Sequence, residues 1–174
     1  CTEKEIKNED SIINIANHKS EYALSKLVSE ANLRQKYQYG FCPVTILRFG
    51  IIYGARKEGG SAVESLFQAV REKDEVEVGC LRTGRHFIHV SDIVAGIIKS
   101  IGLPGFEIIN LEGDNLTTLK DVIETSKRIL NKNPKTIEKD PANANVRRIS
   151  SEKARKLLNW KPTVGLDQGM QSLS

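Results

Sequence analysis

The sequence predicts an α/β fold with at least partly parallel strands, and three observations predict it. Apolar, β-branched runs at 43–49 and 106–111 have the composition of buried parallel strands. Stretches with helical spacing of apolar residues alternate with these runs. Neither an internal repeat, a low-complexity stretch nor a long linker interrupts the alternation.

The elements follow in order. Residues 1–18 are polar, without periodicity, and read as a surface loop. From Ser20 the pattern becomes helical, with Leu24, Leu27, Val28 and Ala31 as an apolar stripe and Gly40 as its end. The run 43–49 is predicted as a buried strand, followed by a glycine-marked exit loop at 50–54. Ser61 and Glu64 form a capping box ahead of a helix carrying Leu66, Phe67 and Val70. Short strands are predicted at 75–79 and 86–90. Ser91 is predicted to cap a helix with Ile93, Val94, Ile97, Ile98 and Ile101, closed by Gly102. After the strand at 106–111, Thr118 and Asp121 cap a helix with Leu119, Val122, Ile123 and Leu130. Ala154, Leu157 and Leu158 mark a short helix, and 166–173 another.

Bulk properties exclude several classes. At 174 residues, with 39% hydrophobic and 28% charged residues, the chain is a folded domain with a real core rather than a disordered one. Its net charge of +4 suits an anionic ligand such as a phosphate and lacks the clustered basicity of a nucleic-acid binder. Cys1, Cys42 and Cys80 are too widely spaced for a metal site and odd in number, so buried or half-buried free thiols in a reducing compartment are expected. No signal peptide or membrane-length apolar run occurs, so the expected location is cytoplasmic, with neither membrane nor nucleic acid as partner. The chain starts at Cys1 and its only methionine is Met170, so it is expected to be a fragment of a longer polypeptide.

One motif carries chemistry. Tyr22-Ala23-Leu24-Ser25-Lys26 places a phenol and an ammonium at i, i+4, side by side on one helix face. A free tyrosine ionises near pH ~10, too high for a base at neutral pH. A neighbouring cation favours the phenolate and makes the pair a plausible acid/base unit. Leu24, Leu27, Val28 and Ala31 would anchor the opposite face in the core. The same spacing recurs at Tyr53 and Lys57, in a glycine-bearing loop, so spacing alone does not decide between a catalytic pair and an ordinary tyrosine and lysine.

The wider context resembles one family. Tyr22-Ala-Leu-Ser-Lys26-Leu-Val-Ser-Glu30 is similar to the active-site helix of the extended short-chain dehydrogenases/reductases of the NAD-dependent nucleotide-sugar epimerase/dehydratase type. The stretch 47–54 resembles their Leu-Arg-x-x-x-x-Tyr-Gly segment, and 85–93 their Arg-x-Phe-Ile-His-Val-x-Asp-Val segment. The stretch 107–113 is similar to their Asn-Leu-x-Gly strand end, and 151–162 to their Ser-Lys-Ala…Leu-Gly-Trp-x-Pro tail. The five segments keep the family order and cover nearly the whole chain.

This resemblance implies the C-terminal part of a Rossmann-type doubly wound sheet plus a small α/β substrate-binding lobe. Residues 1–60 would end the NAD-binding domain with the active-site helix and its following strand. Residues 61–174 would form mainly the substrate lobe, with the helix and strand at about 91–111 returning to the Rossmann sheet. It implies Tyr22 as general acid/base, Lys26 as the residue that holds the nicotinamide ribose and tunes Tyr22, and Phe49 as backbone beside the nicotinamide of NAD or NADP. It implies Arg85 on the diphosphate of a nucleotide sugar, joined by Arg147 or Arg148, against the plainer reading of Arg85 as a surface charge. His89 and Asp92 read as structural, Trp160 as a packing anchor, and His18 and His86 have no assigned role. A homodimer through the active-site helix is also implied.

The sequence departs from the family pattern in places. Ile51 stands where many members have a sugar-contacting Asn, and Ala55 where Pro is frequent. No glycine-rich Rossmann turn occurs, so the helix N-terminus that would hold the cofactor pyrophosphate is not in these residues. Thr2 is the only hydroxyl near the place of the family's catalytic Ser/Thr, and its spacing is short. The expected function is oxidation of a nucleotide-sugar hydroxyl to a transient keto intermediate, with the cofactor-binding half absent. The alternatives are a non-catalytic nucleotide-sugar or dinucleotide-binding module of the same fold, and an NAD(P)-dependent reductase of another substrate.

Overall fold

The computed structural model describes residues 5–17, 20–56 and 59–174. Strands and helices alternate as β1 (Ile6–Lys7), α1 (Glu21–Gln38), β2 (Val44–Phe49), β3 (Ile51–Tyr53), α2 (Ala62–Glu72), β4 (Glu75–Val78), β5 (Gly84–Arg85), β6 (Phe87–His89) and α3 (Val90–Ser100). They continue as β7 (Phe106–Leu111), β8 (Thr117–Thr118), α4 (Leu119–Leu130), β9 (Lys135–Glu138), β10 (Arg148–Ile149), α5 (Glu152–Leu158) and α6 (Leu166–Gln171). Four strand pairs are parallel: β1 with β10, β2 with β7, β3 with β6, and β4 with β9. Only β5 with β8 is antiparallel among the described residues. The predicted α/β class with parallel strands is the observed one.

The local signals explain the helix starts. Ser61 and Glu64 cap α2 reciprocally, with Ser61 N–H donating to Glu64 Oε2 at 2.8 Å. Thr118 and Asp121 do the same for α4. α3 differs from expectation: its cap is His89, whose Nδ1 accepts from Ser91 N–H at 3.3 Å, so the predicted cap Ser91 is instead the donor.

Two apolar clusters form the interior. In the first, Val63, Leu66, Phe67 and Val70 of α2 face Val122 and Ile123 of α4, with Val76, Val78 and Met170 beside them. The i, i+3, i+4, i+7 spacing on α2 puts all four side chains on one face. Each such side chain contributes about 1.5–3 kcal/mol by leaving water. In the second cluster, Ile88, Ile93, Ile109 and Leu111 pack with Ala154, Leu158 and Trp160. Trp160 is the expected anchor: it is 3% exposed, and its indole N–H donates to the Asp92 carbonyl at 3.0 Å. Asp92 is buried, and its carboxylate accepts from Thr163 N–H (3.0 Å), Thr163 Oγ1 (2.8 Å) and Val164 N–H (3.0 Å). Its structural role is therefore to clasp the C-terminal segment, beyond any effect on the α3 dipole.

Five expectations change. The stretch read as a loop at 1–18 contributes β1, in register with β10, and Glu9 accepts from Asn110 N–H at 2.7 Å. The predicted exit loop at 50–54 contains β3, paired with β6. β2 is half-buried rather than buried, and α1 has no buried residue, with Val28 and Ala31 exposed. The reason is shared: β2 pairs only with β7 among the described residues, so the surface beneath α1 is narrow. Cys42 is exposed rather than buried, while Cys80 is a buried free thiol and Cys1 lies outside the described residues. No described helix is long and apolar enough to cross a membrane.

Candidate active site

Ser20 caps α1, and Tyr22 and Lys26 sit one turn apart near its start. Lys26 Nζ lies 5.2 Å from the Tyr22 ring centroid, so the helical spacing does bring the two side chains together. Tyr22 is 71% exposed and opens onto a cleft of about 1000 Å³. α1 supplies one wall with Tyr22, Lys26 and Glu30. The ends of β2 and β3 supply the other, with Arg48, Phe49 and Gly50. Glu30 and Arg48 bind across the cleft floor at two points, 2.9 and 2.6 Å. The Glu30 carboxylate holds the Arg48 guanidinium above its ordinary value, against the opposing effect of partial burial.

Phe49 and Gly50 also border a smaller cavity of about 160 Å³, lined by Arg85, Arg147 and Glu112. Arg85 donates to the carbonyls of Gly84, at 2.7 Å, and Asn145. Burial lowers its pKa, and the like charge of Arg147 lowers it further. Two cations that repel one another at a partly desolvated wall form a site suited to an anion. Arg148, the alternative to Arg147, lines a neighbouring groove with His86 and Arg155 and does not line the Arg85 cavity. His86 is committed to the Gly113 carbonyl through Nδ1 at 2.7 Å, and burial lowers its pKa.

The second Tyr-x-x-x-Lys match is separated from the first by burial. Tyr53 is 1% exposed in the first cluster, and burial, then Asp92 and Glu64, push its pKa up to about 12. Lys57 lies outside the described residues, as do Thr2 and His18. Ile51 borders the arginine cavity and has no polar group to offer there. No group of His, Cys, Asp and Glu able to hold a metal occurs among the described residues.

Sequence reasoning missed two features. One is the Glu30–Arg48 pair, although both residues belong to segments quoted above. The other is Glu112, which is 7% exposed and whose carboxyl burial pushes up to about 8. A charged residue directly after the apolar run 106–111 was the available signal.

The model of the NAD dependent epimerase/dehydratase family matches residues 2–111. The chain belongs to this family. Two curated relatives each match most of this chain. UDP-glucuronate 4-epimerase of Thermodesulfobacterium geofontis (strain OPF15) is 27% identical over 157 residues, 87% of this chain and 48% of the relative. dTDP-4-dehydro-6-deoxyglucose reductase of Escherichia coli is 32% identical over 159 residues, 87% of this chain and 50% of the relative. Among solved structures, UDP-glucuronic acid 4-epimerase from Bacillus cereus in complex with NAD superposes with a TM-score of 0.80 at 26% identity. That match covers 97% of this family member and 54% of the other chain. The chain thus spans about half the length of the curated relatives it matches.

Proposed function

We propose that this chain supplies the acid/base pair and the substrate lobe of an NAD(P)-dependent enzyme acting on a nucleotide sugar through a transient keto intermediate. The observation that carries the reading is the placement of Tyr22 and Lys26 on a cleft that shares Phe49 and Gly50 with the Arg85–Arg147 cavity. An anionic tail held by the arginines would leave a sugar ring directed at the tyrosine. The names of the relatives, a UDP-glucuronate epimerase and a dTDP-sugar reductase, support this substrate class.

In this reading Tyr22 takes the proton from a sugar hydroxyl and returns it later. Lys26 sets the tyrosine's electrostatic surroundings, and Lys26 and the Phe49 backbone would hold the nicotinamide end of the cofactor when it is bound. Bound NAD(P) supplies the hydride acceptor. The residues present fit that group in part: the cleft beside Tyr22, Lys26 and Phe49 suits its nicotinamide end, whereas no glycine-rich turn for its pyrophosphate is in the sequence. Arg85 and Arg147 hold the diphosphate. Re-reduction of the keto intermediate on its other face would make an epimerase and loss of water a dehydratase, whereas a reductase would start from a keto sugar, take its hydride from NAD(P)H and its proton from Tyr22.

We also read residues 1–60, with 91–111, as part of the dinucleotide-binding unit, and the remainder of 61–174 as the substrate lobe. The two apolar clusters support that division in part: Ile93, Ile109 and Leu111 share one with Leu47 and Ile52, and the α2 and α4 side chains share the other, while Ala154, Leu158 and Trp160 pack with the first group and Tyr53 with the second. α1, without a buried side chain, is the surface on which a homodimer would form. A non-catalytic binding module is the competing reading, favoured by apolar Ile51 in the arginine cavity. Calorimetric titration with UDP tests the substrate class: binding lost in Arg85→Ala supports it, and binding indifferent to that change overturns it. The 174-residue chain is expected to bind NAD weakly and to be inactive alone; tight NAD binding would overturn that part.

A further inference from the structure

The arginine cavity contains a carboxyl group for which the reaction above has no use. Glu112 follows β7 and is 7% exposed, and its backbone N–H donates to Ser151 Oγ at 2.9 Å. Its carboxyl oxygens have no hydrogen-bond or ion-pair partner among the described residues. Gly50 is the reason the side chain fits: a Cβ there would collide with Glu112 Oε2 and lie 2.8 Å from the His86 carbonyl.

A carboxylate sharing a cavity with two arginines ordinarily pairs with them and cancels the site's charge. Here it does not. Arg85 donates to Gly84 and Asn145 carbonyls, and the interaction resolved between Arg85 and Arg147 is repulsion. The cavity therefore presents two uncancelled cations beside an unpartnered, buried carboxyl group. An incoming anion is repelled by a carboxylate but bonded by a carboxylic acid, which has one O–H to donate.

We propose that Glu112 is a ligand-contacting, specificity-determining residue of this cavity, which in its protonated form donates its O–H to a phosphoryl oxygen held by Arg85 and Arg147. The proposal rests on the anion-site reading given above. Burial supports the required protonation, since it pushes the Glu112 carboxyl up to about 8. The charged or titratable groups that face Glu112 across the cavity are Arg85, His86 and Arg147. The His86 ring is engaged by Gly113, and its lowered pKa keeps it neutral over the range of interest. Arginine stays charged throughout that range.

The test is calorimetric titration of the 174-residue chain with UDP from about pH 7 to about pH 9, above the second ionisation of a phosphate near ~6. Wild-type affinity is expected to fall about tenfold across this range as Glu112 ionises. Glu112→Gln, whose amide donates at every pH, should keep the neutral-pH affinity within about threefold and lose the pH dependence. Glu112→Ala should be roughly tenfold weaker at neutral pH and also flat. Circular dichroism checks that each variant folds, and the isosteric Gln variant remains informative if the Ala variant does not. Wild-type binding that needs Arg85 but is flat with pH and unchanged in both Glu112 variants overturns the role of Glu112 alone. Absence of UDP binding by the wild type, or binding that survives Arg85→Ala, overturns the anion site and the Glu112 contact together.

Discussion

Arg48 and Glu30 meet in a two-point ion pair that joins β2 to α1, Nε to Oε1 at 2.9 Å and Nη2 to Oε2 at 2.6 Å. The side chains are only 25% and 20% exposed. In a helix without a buried residue, this is the strongest polar tie between the wall carrying Tyr22 and Lys26 and the strand beneath it. Glu30→Gln leaves a half-buried guanidinium without its counter-charge and is expected to cost about 2 kcal/mol in urea denaturation. Adding Arg48→Met should recover part of that loss, giving a non-additive double-mutant cycle.

Tyr22 is exposed and makes no contact on which the core depends, so Tyr22→Phe should leave the melting temperature unchanged. In an assay with the dinucleotide site complete, turnover is expected to fall by about 10²-fold or more, with UDP affinity within about twofold. Unchanged turnover would overturn Tyr22 as the acid/base, and UDP binding without any turnover in the wild type would support the binding-module reading.

Glu112 ties stability to pH. Burial raises its folded-state pKa from 4.5 to about 8, so between those values the folded chain keeps a proton that the unfolded chain has lost. Stability contributed by this group is fully present below about pH 4.5 and is lost as pH rises toward 8. The loss is on the order of a few kcal/mol. Glu112→Gln should therefore melt higher than wild type at about pH 9, and the gain should vanish near pH ~4.

Gly113 packs against backbone. A Cβ there would collide with the Phe87 carbonyl, which sits in a paired strand and cannot yield as a side-chain tip does. Gly113→Ala is expected to cost about 2–3 kcal/mol. Gly79→Ala, with nothing within 4 Å of its Cβ position, should stay within about 0.5 kcal/mol.

Asp92→Ala removes the acceptor for Thr163 N–H, Thr163 Oγ1 and Val164 N–H together. The expected cost is about 3 kcal/mol. Limited proteolysis should then cut near 160–165 first.

Features settled within one turn of chain were legible in the sequence. The Ser61–Glu64 and Thr118–Asp121 boxes and the Tyr22–Lys26 adjacency depend on residues three or four apart, and the structure reproduces all three. Features settled by distant partners were not. β3 is three residues between glycines, too short to show alternation, and it is a strand only because β6 lies alongside. The α1 stripe has the right spacing, but burial depends on how much sheet lies below it. Arg85 and Arg147 line one cavity because Val146 bridges Gly84 and the Arg147 N–H donates to the Gly84 carbonyl, and spacing gave no way to choose Arg147 over Arg148. Glu112 looks solvated on paper, and Gly50 and Ser151 enclose it only once the chain is folded.

The lack of any buried side chain in α1 has a consequence for amide exchange. Protection against exchange follows local burial, and opening free energies range from near zero to the global value. α2 and α4, locked face to face, should exchange only when the whole chain unfolds, whereas the amides of α1 should open independently and far sooner. The tyrosine and lysine that would do the chemistry thus ride on a helix that opens more readily than α2 or α4, and their alignment becomes a matter of what else covers that helix.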